Sequence, residues 1–159
     1  MPEYERKRLL IVVRTYPTPA KKGIEVSCTA AISEDGKEFV RLFPVPFRFL
    51  SPDKRFSKYQ WIEIDVTPAN DGRRESFKIR GDSIKITGEL STDSNWKARK
   101  EYVLPLCSPS LCHLKRERDA NMHPTLGVFK PKSITKFLIE PTESAWTEGQ
   151  LQILRQMDV

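Results

Sequence analysis

The run Leu9-Leu-Ile-Val-Val13 limits what this chain can fold into. Consecutive branched aliphatic residues leave no polar face, and the run is too short for a helix, so it predicts a strand buried on both sides. Such a strand belongs at the centre of a sheet. The segments after it alternate instead. Glu25–Ile32 and Glu38–Phe43 flank Ser33-Glu-Asp-Gly-Lys37, whose Asp35-Gly36 pair tolerates positive φ and predicts a hairpin turn. Pro44 and Pro46 cannot donate to a ladder and predict the end of the second strand. In Gln60–Val66, the period of two places Ile62, Ile64 and Val66 on one face as core and Trp61, Glu63 and Asp65 on the other. Ser76–Ile79 and Ser83–Thr87 alternate again around Gly81-Asp82. The prolines and closing glycine of Thr15–Gly23 predict a basic loop.

The second half changes character. Asn95–Leu104 predicts a short helix stopped by Pro105, and Ser108–Ala120 a helix with Ser108 as its cap and Pro109 in its first turn. Ile134–Ile139 has strand chemistry, and Thr147–Met157 places Leu151, Leu154 and Met157 along one side of a helix. Short strands followed by helices define an α+β chain: a small, twisted, antiparallel β-barrel with appended C-terminal helices. At 159 residues it fits a single domain spanning 1–159, with the barrel core over about 8–90 and a helical and mixed covering segment over about 95–159.

Composition narrows the function classes. The chain carries 27 Lys and Arg against 21 Asp and Glu, a net charge of +6, which biases its surface toward polyanions. Positive charge concentrates in two blocks. Nine basic residues face five acidic ones between Arg14 and Lys58, and eight face three between Lys97 and Lys132, whereas the remaining tail is net acidic. Cys28, Cys107 and Cys112 are an odd set without framework spacing, which predicts reduced thiols and a cytoplasmic setting. The charged Met1–Arg8 and the short apolar run after it predict neither a signal peptide nor a membrane partner. Phosphate-cradling glycine loops of the GxxxxGK[ST] or GxGxxG kind are absent, and neither histidine accompanies a nucleophile. The residues therefore point to a partner class more than to a reaction, and to no cofactor.

That partner class is nucleic acid. Phe39–Leu50 and Asp53–Trp61 interleave rings with cations, a pattern in which bases stack on the rings and cations hold phosphates. A half-buried strand produces the same alternation for purely structural reasons. The stacking candidates are Tyr16, Phe43, Phe47, Tyr59 and Trp61. The phosphate or base contacts are Arg14, Lys21, Lys22, Arg41, Arg48, Lys54, Arg55 and Lys58, with Arg41 and Arg48 the best suited because guanidinium both stacks and bonds bidentately. The alternative is a protein-interaction subunit of a larger assembly, its exposed rings marking a protein interface.

Two constellations raise metal chemistry. Cys107, Cys112, His113 and His123 are zinc-binding types, but their spacing matches no common zinc pattern. Pro52-Asp53 followed by Glu63-Ile-Asp65 resembles in outline the carboxylate motif of restriction-fold nucleases, which would make the chain a weak metal-dependent nuclease. Asp65 stands where that motif has its lysine.

Phe39-Val-Arg-Leu-Phe-Pro-Val-Pro-Phe47 and Lys58-Tyr-Gln-Trp-Ile-Glu63 resemble motifs of uncharacterised bacterial small-barrel proteins, OB-like or PUA-like. The resemblance covers about the first ninety residues. It implies a role in nucleic-acid metabolism or phage defence and supplies no catalytic residue.

Overall fold

The computed structural model describes residues 3–20, 25–121, 123–143 and 145–157. The apolar run lies in β1 (Glu5–Arg14), followed by the two-residue β2 (Thr18–Pro19), then β3 (Glu25–Ser33), β4 (Phe39–Val45), β5 (Gln60–Pro68), β6 (Ser76–Ile79) and β7 (Lys85–Glu89). After these come α1 (Asp93–Val103), β8 (Cys107–Ser108), α2 (Leu111–Asn121), β9 (Val128–Phe129) and α3 (Glu148–Met157).

Five strands close into a barrel in the order β1-β3-β4-β6-β5, with β5 returning to β1. β7 extends from β5 and β2 from β3, outside the ring. The barrel is antiparallel except at one seam, where β4 and β6 run parallel through Arg41↔Ser76 and Leu42↔Phe77. The expectation of a wholly antiparallel barrel is corrected here for a topological reason. Directions that alternate around a ring of five cannot all alternate, so at least one neighbouring pair must run parallel.

β1 is buried on both faces over Leu9–Val12, whereas Val13, expected to be buried with them, is 52% exposed. Leu9 and Ile11 point inward with Val40, Leu42, Val45, Ile62, Ile64 and Val66, and Leu50 and Phe56 join them from the loop after β4. Leu10 and Val12 point outward and form a second core with Ala30, Ile32 and Trp61, covered by Tyr102, Val103, Leu106 and Leu126. Tyr102 of α1 meets Trp61 edge-on at 5.2 Å. Each large aliphatic side chain removed from water contributes about 1.5–3 kcal/mol.

Local expectations fare differently. The β3–β4 turn holds Gly36 at φ 72°, with Gly36 N–H bonded to Ser33 O at 2.9 Å. β4 runs through Pro44 to Val45, past its expected end, because a register shift opposite Ser27 and Thr29 leaves the proline without a ladder bond to supply. α1 begins in a left-handed turn at Ser94, Asn95 and Trp96, with φ of 51°, 57° and 63°, before its right-handed part. α2 starts later than expected because Ser110, not Ser108, caps it. Its Oγ accepts the His113 N–H at 3.1 Å, and Ser108 is taken up in β8. Residues 134–139 form no strand: nothing among the described residues pairs with them, and an unpaired extended segment has no ladder to complete. Among the described residues, no helix is long and apolar enough to cross a membrane.

Truncating Ile64, fully buried at the barrel centre, to alanine is expected to cost about 2–5 kcal/mol in urea unfolding. Lys78→Ala, on an exposed position of β6, is expected to cost less than about 0.5 kcal/mol.

Candidate nucleic-acid interface

One end of the barrel is formed where β1 ends, β3 begins and β4 ends, and it gathers the strongest part of the basic aromatic set. The Arg14 guanidinium lies 3.5 Å from the centre of the Phe47 ring, and Phe47 meets Phe56 edge-on at 5.3 Å. Burial pulls the Arg14 guanidinium down from its ordinary value. Arg48 lies 5.5 Å from the Tyr16 ring centre, donates to Tyr16 Oη at 3.0 Å, and pairs with Glu25 at 3.2 Å. Glu25 is buried while its partner is half exposed, so Arg48 is anchored from beneath. Tyr16 is 69% exposed, and Phe49, next to Arg48 on the Phe47–Phe49 turn, is exposed as well.

The loop from Pro46 to Tyr59 carries the remaining cations of this rim. Arg55 braces it, donating to Leu50 O and Arg48 O at 2.8 Å each. Exposed Lys58 and half-buried Lys54 stand free of ion pairs among the described residues. At the loop's far end Tyr59, at φ 65°, bonds through its N–H to Ile11 O. Lys21 and Lys22 lie outside the described residues.

Several candidates serve the fold instead. Trp61 is only 6% exposed, stacked by Arg8 at 4.6 Å, so it offers no open ring face to a base. Tyr59 is covered by Arg99 of α1 at 4.2 Å. Arg41 lies over Phe43 at 4.5 Å and donates to Ser76 Oγ at 2.8 Å, with Asp71 at 3.5 Å. These residues belong to the barrel wall and its seam. Phe49, exposed at this end of the barrel, is not among the stacking candidates read from the sequence. Its signal was present in Phe47-Arg48-Phe49, but only the tight turn decides which of the two rings points outward.

The carboxylates of the nuclease reading are engaged elsewhere. Arg6 on β1 pairs with Asp65 at 3.0 Å and Glu63 at 3.4 Å, and Arg80 reaches Asp65 at 3.5 Å. Asp53 is held below the usual carboxylate range by its hydrogen bond with Ser51. Among the described residues, no group of three or more His, Cys, Asp or Glu side chains is placed to hold a metal ion. This removes geometric support from the magnesium reading and from the zinc reading alike.

At the hairpin end of β3 and β4, away from the rim, a cleft of about 510 Å³ separates the barrel from the α2 segment. Cys107, His113 and His123 line it, whereas Cys112 is exposed outside it. His113 faces Glu117 at 3.3 Å. Glu75 ties the two walls together, accepting from Thr125 N–H at 2.7 Å and Thr125 Oγ1 at 2.6 Å. Burial raises the Glu75 carboxyl, but the Thr125 hydrogen bonds and nearby His123 outweigh it and hold the group below its ordinary range.

Fold and rim together define a small closed β-barrel with a cationic aromatic end. The family described as "Domain of unknown function (DUF8758)" matches residues 5–105, and the chain belongs to that family. The match covers the barrel, the rim and α1 and stops before α2. No curated protein and no solved structure matches the chain.

Because Arg41 satisfies buried Ser76 at the seam, Arg41→Ala is expected to destabilise the fold by about 1–3 kcal/mol, whereas Lys58→Ala stays within about 0.5 kcal/mol. Chemical unfolding of both variants checks this. The Glu75 contribution is complete above the ordinary carboxylate range and is lost as pH falls through the lowered folded value. Thr125→Val is expected to move the Glu75 titration upward, read by carboxyl NMR, and to bring forward the acid loss of stability.

Proposed function

We propose that this protein is a nucleic-acid-binding barrel, OB-like or PUA-like in kind, that takes single-stranded or structured nucleic acid across its cationic aromatic rim. The observation that carries the reading is the pair of adjoining stacks, Arg14 on Phe47 and Arg48 on Tyr16, with the Tyr16 ring largely open to solvent. A guanidinium held against a ring keeps its charge and presents its N–H edge, so phosphate contact and base stacking are available side by side. Tyr16 and Phe49 offer the stacking surfaces, Arg14, Lys54 and Lys58 the phosphate contacts, and Arg48 a guanidinium already oriented by Glu25.

Buried Glu25 also tempers the rim. It neutralises part of the Arg48 charge, so affinity depends on stacking as well as on cations. Duplex nucleic acid keeps its bases paired and stacked inside the helix, whereas a single strand or loop can lay bases against Tyr16 and Phe49.

Fluorescence anisotropy with labelled single-stranded and duplex DNA and RNA, over a salt series, tests the reading. Binding is expected to favour single strands and to weaken steeply with salt. Tyr16→Ala is expected to reduce affinity roughly tenfold, within the range that stacking on one aromatic side chain supplies. Lys58→Ala is expected to make the salt dependence shallower by about one counterion. No binding at low salt, or binding indifferent to both substitutions, would overturn it.

A further inference from the structure

We infer that the cleft between the barrel and the α2 segment is a binding site for a small amphipathic anion, a molecule with an apolar body and a phosphate or carboxylate head. Its volume of about 510 Å³ is that of clefts which hold small organic ligands. The barrel supplies one wall from β4 and the residues leading into β6, and residues between Leu106 and Gly127 supply the other. The first wall lies inside the family match and the second beyond it. The site is separate from the rim, so the inference does not rest on the nucleic-acid reading.

The walls are held at a fixed spacing. Glu75 on the barrel side accepts from Thr125 N–H at 2.7 Å and Thr125 Oγ1 at 2.6 Å. Within the far wall, β8 and β9 pair through Cys107↔Val128 and Ser108↔Phe129. Gly127 is pressed against α2, because a Cβ there would lie 2.6 Å from Leu114 Cδ2. Phe39, Phe77, Leu106, Leu114 and Leu126 line the cleft and are half-buried, so an apolar body entering it removes their remaining surface from water.

The charges show which head the cleft takes. Three carboxylates line it, and two are engaged, Glu75 by Thr125 and Glu117 by His113 at 3.3 Å. Lys37 and Arg74 are the opposing cations. The Lys37 side chain is 81% exposed and meets Asp35 only at 3.7 Å. Arg73 reaches Asp71 at 4.0 Å, whereas exposed Arg74 has no ion pair among the described residues. Two cations therefore stand against Glu38 alone beside the apolar walls. A guanidinium bonds a phosphate or a carboxylate through two N–H groups at once, which gives Arg74 the head of the ligand and the walls its body.

Both histidines of the chain, His113 and His123, line this cleft, so their ring signals in NMR report on its occupancy. The full chain is titrated with phenyl phosphate and with phenylacetate, and at least one is expected to shift both signals saturably, the tighter of the two identifying the head. Inorganic phosphate and acetate, heads without a body, are expected to bind at least roughly tenfold more weakly. Arg74→Ala is expected to keep the circular dichroism spectrum of the wild type and to weaken the better probe by roughly tenfold or more. Lys58→Ala at the rim is expected to leave that affinity unchanged. No saturable shift with either probe, a bare head bound as tightly as its phenyl counterpart, or an affinity untouched by Arg74→Ala would overturn the inference. Anisotropy with nucleic acid on the same variants reports separately on the rim, so the two readings can fail independently.

Discussion

Closure of the barrel depends on the seam between β4 and β6. β1–β3, β1–β5 and β3–β4 are antiparallel ladders of five or six registered pairs and β5–β6 one of three, but this pair shares two registered rungs, and a side chain completes what the backbone does not. The Arg41 guanidinium bonds to fully buried Ser76, whose hydroxyl donates in turn to Asp71, while Arg41 N–H bonds to Glu75 O at 2.7 Å. A buried hydroxyl or a carboxylate left without these partners would carry its desolvation cost unrelieved. Behind the seam, Leu42 packs with Leu9, Ile11, Ile62 and Ile64 in the inner core.

The same economy governs the rest of the charge. Among the described residues, seven cations lie over aromatic rings, well above the usual frequency of about one such pair per 70–80 residues. Most of the cation and ring alternation in the sequence is therefore spent within the chain, binding the barrel wall to itself. At the rim the Arg48–Tyr16 stack includes a ring largely open to solvent. The cleft at the other end of the β3–β4 hairpin has mixed charge and is bridged by Glu75 and Thr125, so the two ends of the barrel differ in chemistry.

How much was legible can be judged residue by residue. Ile62, Ile64 and Val66 could be assigned to the core from their period of two, and all three are fully buried. Trp61 on the opposite face could not be assigned. Its alternation leaves it outside the barrel, and only the arrival of Tyr102, some forty positions away, decides that outside is a second core and not solvent. Arg41 and Arg48 are equivalent as sequence, yet one closes the seam and the other lies at the rim. Glu63 and Asp65 share a strand face as their spacing demands, but the charge opposite them comes from Arg6, across a pairing between β1 and β5 that no local pattern reveals.

The sequence by itself determined the six longer strands β1, β3, β4, β5, β6 and β7, the hairpin at Gly36, the doubly buried Leu9–Val12 and the basic bias, because these follow from backbone sterics, side-chain period and composition, which act within a few residues. Tertiary structure decided the parallel seam, the second core over Trp61, the partners of each arginine and the opening of Tyr16 to solvent. Those depend on which distant segments meet when an odd number of strands closes into a ring, and a guanidinium satisfies whichever carboxylate, hydroxyl or ring the closure brings to it.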